Sequence, residues 1–190
     1  MKDLIETNFT TRRKFLETTA RVAGTGALLS ALPISMSAFA GGAAEIRVAL
    51  VGCGGRGTGA ASQAIEADSD VRLVAMADVF ADRLEESYKG LSAKYEGKGK
   101  VKVTEASKFT SFDGYKKAID MADVVILTTP PGFRPQHFEY AVQQGKHVFM
   151  EKPVATDVVG IKRVLEAGKL ARQKKLNVVV GLQRHYQKNY

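Results

Sequence analysis

The chain has 190 residues, 45% of them hydrophobic, which is enough to build a core, and a formal net charge of +8. Residues 1–40 carry five basic and three acidic side chains, so +6 of that charge remains for the rest, which is one ordinary domain's worth of core-forming sequence. The lysines of Lys94–Lys102 and Lys169–Lys175 lack interleaved exposed aromatics and read as solvated faces, so no nucleic-acid partner is expected. Cys53 is the single cysteine, which excludes an intramolecular disulfide and a zinc cluster, and no metal is expected.

Thr10-Thr11-Arg12-Arg13-Lys14-Phe15-Leu16 opens the chain's first organised stretch. An apolar run from Val22 to Leu32 follows, diluted by Gly24, Thr25, Gly26 and Ser30, and Ala38-Phe39-Ala40 closes it. A basic region, a weakly apolar region and a small-residue cleavage site in that order form a secretory signal, and the arginine pair resembles the twin-arginine export signal. The alternatives are an amphipathic first helix or a membrane anchor. Pro33 and the small polar residues make a poor spanning helix, and a soluble helix does not account for the arginines and Ala-Phe-Ala together. Residues 1–40 are therefore expected to engage the twin-arginine export machinery and deliver a periplasmic protein. Such export, by that resemblance, moves proteins already folded, often with cofactor in place, and a cofactor carried out must stay bound and be regenerated within each cycle.

After a Gly-Gly-Ala-Ala linker, Ile46–Val51 reads as a strand running into Gly52-Cys53-Gly54-Gly55-Arg56-Gly57. The segment from Gly59 to Ala67 reads as a helix, and a second strand, Val71–Ala77, ends at Asp78, twenty-one residues past Gly57. That is the context of a dinucleotide fingerprint: Gly52 permits the tight turn, Gly54 lets backbone approach a pyrophosphate, and Gly57 allows close helix packing. The phosphates then lie on a helix N-terminus, with Gly55 and Arg56 beside them, and Asp78 accepts hydrogen bonds from the adenosine ribose. A carboxylate there repels a 2′-phosphate, which favours NAD over NADP; Arg83 nearby weakens the preference slightly. Cys53 inside the turn reads as a small packing residue.

Helices follow at Ala81–Tyr95, Gly114–Asp120, Pro135–Gln144 and Val158–Lys174, the last capped by Thr156 or Asp157, with strands at Asp123–Thr128, His147–Met150 and Asn177–Gly181. Gly97-Lys98-Gly99 is a turn, and Lys100–Val103 is a candidate short strand. Alternating strands and helices with short connections predict an α/β fold, a Rossmann-type doubly wound parallel sheet covered on both faces.

Val124-Val-Ile-Leu-Thr-Thr-Pro-Pro131, a helix containing His137, and Gly145-Lys-His-Val-Phe-Met-Glu-Lys-Pro153 complete a series of motifs. With the glycine loop, the series resembles the glucose-fructose oxidoreductase and inositol dehydrogenase family, Gfo/Idh/MocA, across essentially all of residues 46–185. The resemblance implies a nicotinamide-binding domain paired with a C-terminal, largely antiparallel substrate domain, with substrate held between them. Thr129 and Pro130 follow a buried strand at its carboxyl end, where doubly wound sheets bind ligands, although prolines there also simply end a strand. By resemblance, Glu151 helps position the nicotinamide ribose, and Lys152 is the catalytic group pointing at the hydroxyl that becomes a carbonyl. An ammonium on that oxygen stabilises developing negative charge and relays the proton. His137 matches a histidine that family members carry after the Thr-Pro loop, and on its helix it serves equally as an interior or capping residue. His147 reads as part of a strand entry, and His185 as part of the passage into the second domain.

On this reading residues 41–182 form the NAD-binding domain and 183–190 begin a second domain whose remainder, with the main acid or base and a surface for homo-oligomer formation, is missing. The expected function is the nucleotide-binding half of an exported NAD-dependent oxidoreductase acting on a sugar, polyol or related hydroxyl compound by hydride transfer. The alternatives are an NAD-dependent glycosidase working by transient oxidation, which the Glu-Lys-Pro form disfavours within the resemblance, and a non-catalytic dinucleotide-binding module.

Overall fold

The computed structural model describes residues 45–187. The expected export signal, residues 1–40, lies outside the described residues. Six parallel strands form one sheet: β1 (Ile46–Val51), β2 (Val71–Ala77), β3 (Lys108–Phe109), β4 (Val124–Leu127), β5 (His147–Glu151) and β6 (Val178–Gly181). Their spatial order is β3-β2-β1-β4-β5-β6. The helices between them are α1 (Gly55–Ala67), α2 (Ala81–Lys94), α3 (Gly114–Asp120), α4 (Arg134–Gln143) and α5 (Val158–Gln173), and a short α6 (Gln183–Tyr186) follows β6.

The central strands are apolar, apart from Arg47 in β1 and Arg72 in β2 near their amino ends, because both faces are covered. Ala49 and Val51 of β1 join one core with Val125, Leu127, Val148 and Met150, while Val48 and Leu50 join the other with Leu73, Met76 and Ile126. Successive side chains thus feed opposite layers, as the two-residue period of a strand demands. The β1–β2 register slips between Val48, opposite Leu73, and Ala49, opposite Ala75. The extra residue, Val74, lets β2 put Ala75 and Ala77 into the first core and Met76 into the second.

Two expectations need correction. The helix expected from Gly59 begins at Gly55, because the glycines' poor helix propensity is overridden by packing at Gly57, where no side chain fits. Lys100–Val103 is not a strand: Val101 makes one bridge to Leu73, and the edge strand is Lys108–Phe109 instead. Val103 turns inward to become buried, and Thr104 and Ser107 then close a reciprocal capping box around a 3-10 turn, which ends any pairing begun at Val101.

The strand order reverses between β1 and β4, which opens a crevice at their carboxyl ends. At the other margin, α5 is capped by the Asp157 carboxylate accepting from the Gly160 amide at 2.6 Å. Val158, Val159 and Leu165 on that helix and Val179 and Leu182 around β6 are exposed.

Candidate functional site

The loop leaving β1 is built by exclusion. Gly52 has φ of 99°, and a Cβ there would stand 2.6 Å from the Thr129 amide nitrogen. A Cβ on Gly57 would stand 2.0 Å from the Gly52 carbonyl oxygen and 2.6 Å from Thr128 Oγ1. Only glycine at both places lets β1, α1 and the loop after β4 meet. Thr128 fastens the junction, its hydroxyl donating to the Gly52 carbonyl at 2.6 Å. Gly54 and Gly55 differ: a Cβ on either meets nothing within 4 Å. Gly54 is the N-cap of α1 and no side chain caps that end, so the first-turn amides face an open approach.

Asp78, one residue past β2, reaches back to this loop. One carboxylate oxygen accepts from the Cys53 amide at 2.6 Å and the other from the Phe80 amide at 3.0 Å. A carboxylate oxygen has a second lone pair, so Asp78 keeps acceptor capacity facing the crevice. The Cys53 thiol is buried and donates to the Ala77 carbonyl at 3.6 Å. Burial first, and the Asp78 charge second, push that thiol well above its ordinary range, which leaves it inert.

Between Asp78 and the loop after β4 lies a cavity of about 400 Å³. Phe80, Arg83, Phe112 and Phe133 stand around it, with Tyr115 and His137 deeper. Phe80 is 62% and Phe112 72% exposed, which leaves large apolar surface at the mouth of a crevice whose lining is itself mainly apolar. These aromatics carry no sequence motif, and only their clustering in space marks them. Thr129 and Pro130 line the same cavity.

His137 is an interior residue that borders the cavity. It is 6% exposed and stacks on Tyr115 with centroids 4.1 Å apart, and its Nδ1 is 3.1 Å from Thr129 Oγ1. Burial, aided by the Arg134 charge, lowers its pKa to about 4, so the ring is neutral near pH 7.

Toward β6 the site changes sign. Glu151, at the end of β5, is nearly buried and does not stand free: Arg56 Nε and Nη2 reach its Oε1 at 2.7 and 2.6 Å. Gly181 is needed opposite, since a Cβ there would lie 2.6 Å from that oxygen. Lys152 and Pro153 follow, both exposed and joined by a cis peptide bond. Arg134, which sequence reasoning passed over, is 2% exposed and donates to the carbonyls of Thr129 and Pro153. Burial lowers its pKa, partly offset by the charge of Glu151. A cation in the first turn of a helix opposes the helix dipole, and that anomaly is the sequence signal that marks it. His147 is structural, its Nδ1 accepting from the Asn177 amide at 2.9 Å. Among the described residues no group of three His, Cys, Asp or Glu side chains could hold a metal ion.

Residues 46–182 match the family model of the Gfo/Idh/MocA oxidoreductases, described as an oxidoreductase family with an NAD-binding Rossmann fold. The chain belongs to that family. It is 30% identical over 145 residues, 76% of its own length, to inositol 2-dehydrogenase 3 of Saccharopolyspora erythraea, and covers 38% of that protein. It is 32% identical over 115 residues to a glycosyl hydrolase family 109 protein of Streptomyces coelicolor, covering 60% of this chain and 23% of that one. The scyllo-inositol dehydrogenase of Lactobacillus casei, solved with NAD(H) and scyllo-inositol, aligns with a TM-score of 0.59 at 26% identity, over 77% of this chain and 39% of that chain. This chain therefore spans well under half the length of these relatives. The open end of α1, the glycines whose positions a Cβ would fill and the doubly anchored Asp78 fit an NAD site.

The neutral buried His137 carries a pH dependence. Its folded pKa of about 4 lies below the ordinary 6.5, so the unfolded chain binds the extra proton in that interval. Its contribution is complete above about pH 6.5 and is lost as pH falls toward 4, by about 3 kcal/mol in total. Denaturant titrations of wild type and His137→Gln at pH 7.5 and 4.5 are expected to show wild type losing more stability on acidification than the variant. Equal losses would contradict the assignment.

Proposed function

We propose that this family domain is the cofactor half of an NAD-dependent oxidoreductase that acts on a hydroxyl group of a sugar, polyol or related compound, and that it works after twin-arginine export. The observation that supports this reading is the Asp78 carboxylate bonded to the glycine-loop amide beside the uncapped end of α1, an acceptor suited to ribose hydroxyls next to a phosphate-receptive helix end. The family, and a relative solved with NAD(H) and scyllo-inositol, support the reading.

NAD, when bound, supplies hydride acceptance from a carbinol carbon. Around it, Asp78 uses its remaining lone pairs for the adenosine ribose hydroxyls and repels a 2′-phosphate. Gly54, Gly55 and the first-turn amides of α1 face the pyrophosphate, and the charge of Arg56 lies beside them, held by Glu151. Phe80, Phe112 and Phe133 offer apolar surface to the adenine, and Thr129 and Pro130 line the same cavity. Glu151 bears on the nicotinamide ribose from its pair with Arg56. The exposed ammonium of Lys152 hydrogen-bonds the substrate oxygen, stabilises the negative charge that develops as the hydroxyl proton departs, and relays that proton.

A second reading, glycoside cleavage through transient oxidation, is favoured by the glycosyl hydrolase relative. The same cofactor frame serves both, and the residues past β6 in the complete enzyme would decide between them.

Two measurements test the proposal. In equilibrium titrations of the full chain, NAD is expected to bind in preference to NADP, and Asp78→Ser to narrow the ratio by about tenfold, the scale of one charge-assisted contact. An unchanged ratio would remove Asp78 from the ribose site. Fractionation of expressing cells is expected to find the chain in the periplasm, and replacing Arg12 and Arg13 together by lysine should retain it in the cytoplasm. Undiminished export of that variant would defeat the twin-arginine reading.

A further inference from the structure

The loops that carry the two ends of the proposed site are secured differently. On the adenosine side, Thr128 and Thr129 have anchors of their own: the Thr128 hydroxyl donates to Gly52, and the Thr129 hydroxyl is bonded to His137. On the nicotinamide side, Lys152 and Pro153 are exposed, and the side chain that bonds to their backbone is Arg134, through the Pro153 carbonyl. The same guanidinium holds the Thr129 carbonyl with its other terminal nitrogen, and its Nε has no hydrogen-bond partner among the described residues.

We infer that Arg134 is a positioning residue, a planar clamp that fixes the Lys152–Pro153 loop against the Thr129 loop and so holds the Lys152 ammonium over the nicotinamide end of the site. This deepens the cofactor reading above and rests on it. The geometry requires a guanidinium, not merely a cation. Two terminal nitrogens in one rigid plane satisfy two carbonyls on different loops at once, whereas a lysine ammonium is a point donor on a flexible stem. Burying so hydrophilic a group on backbone carbonyls, without a carboxylate hydrogen-bonded to it, is costly, and a function at the site explains its retention. Losing the clamp frees the Lys152–Pro153 loop, whereas the Thr129 loop loses one carbonyl contact and keeps the Thr128–Gly52 and Thr129–His137 bonds.

The test compares two ligands on the full chain: NADH, which reaches both ends, and ADP-ribose, which lacks the nicotinamide. Arg134→Lys and Arg134→Gln are expected to weaken NADH by about tenfold or more, the scale of a lost charge-assisted contact. ADP-ribose affinity is expected to fall by about threefold at most, because the Thr129 loop keeps its hydroxyl bond to His137 when the carbonyl contact is lost. A general loss of structure would weaken both alike, and so would overturn the clamp. An NADH to ADP-ribose ratio equal to wild type in Arg134→Lys would also overturn it, leaving the cofactor reading intact. If wild type binds neither ligand, the cofactor reading falls and the clamp with it. Should the variants fail to fold, wild-type protein labelled with nitrogen-15 in its arginines supplies the measurement. The Arg134 guanidinium signals should be protected from solvent exchange and shift with NADH but not with ADP-ribose, and signals that respond equally to both would reject the clamp.

Discussion

The hydrogen bond from the Cys53 amide to the Asp78 carboxylate, 2.6 Å long, is the constraint on which the site depends. It joins the loop after β1 to the residue after β2, so that two neighbouring parallel strands end in one rigid corner. With the loop held there, Gly52 takes its left-handed conformation against Thr129, and Gly57 brings α1 down onto Gly52. The helix end that results has no side chain across it, and its amides remain available. An anion at Asp78 and a positive helix end, joined through the Cys53 amide, make a surface with opposite electrostatic preferences at its two ends.

Charge is distributed around that corner with little waste. Glu151 is almost wholly buried, and the half-exposed Arg56 offsets the desolvation of its carboxylate while holding a guanidinium beside the open end of α1. Arg134 supplies a second cation on backbone carbonyls, and burial, aided by that charge, keeps His137 neutral. A protonated ring there would oppose a buried guanidinium, so the neutral imidazole is what lets both occupy the layer under Thr129.

The fold was largely legible in the sequence. The bounds of Ile46–Val51 and Val71–Ala77 agree between sequence and structure, since a strand covered on both faces appears as an apolar run, broken here by Arg47 and Arg72 near its entry, that ends at glycine or a charge. Gly55–Thr58 escaped the helical reading because propensity speaks against glycine and only the fit of Gly57 to Gly52 reverses it. Lys108–Phe109 is too short for any period to reveal, and Lys100–Val103 has a strand's alternation but a single bridge. In the site, Gly52, Gly54, Gly57 and Asp78 sit at one crevice because a local motif fixes them. The aromatics around the cavity carry no motif, since Phe80, Phe112 and Phe133 reach it from three separate connections, and Arg134 is marked in the sequence only as a cation standing in a helix's first turn. The Arg56–Glu151 pair joins positions 95 residues apart, which no local pattern can register.

The central claim is that this corner is an NAD site already formed by the chain's own hydrogen bonds. A crystal structure of the full chain with NAD tests it most directly. The account predicts the adenosine ribose on Asp78 and the pyrophosphate on the first-turn amides of α1 beside Gly54, with the Cys53–Asp78 bond unchanged. A dinucleotide bound elsewhere, or one that displaces Asp78 from the Cys53 amide in order to bind, would contradict it.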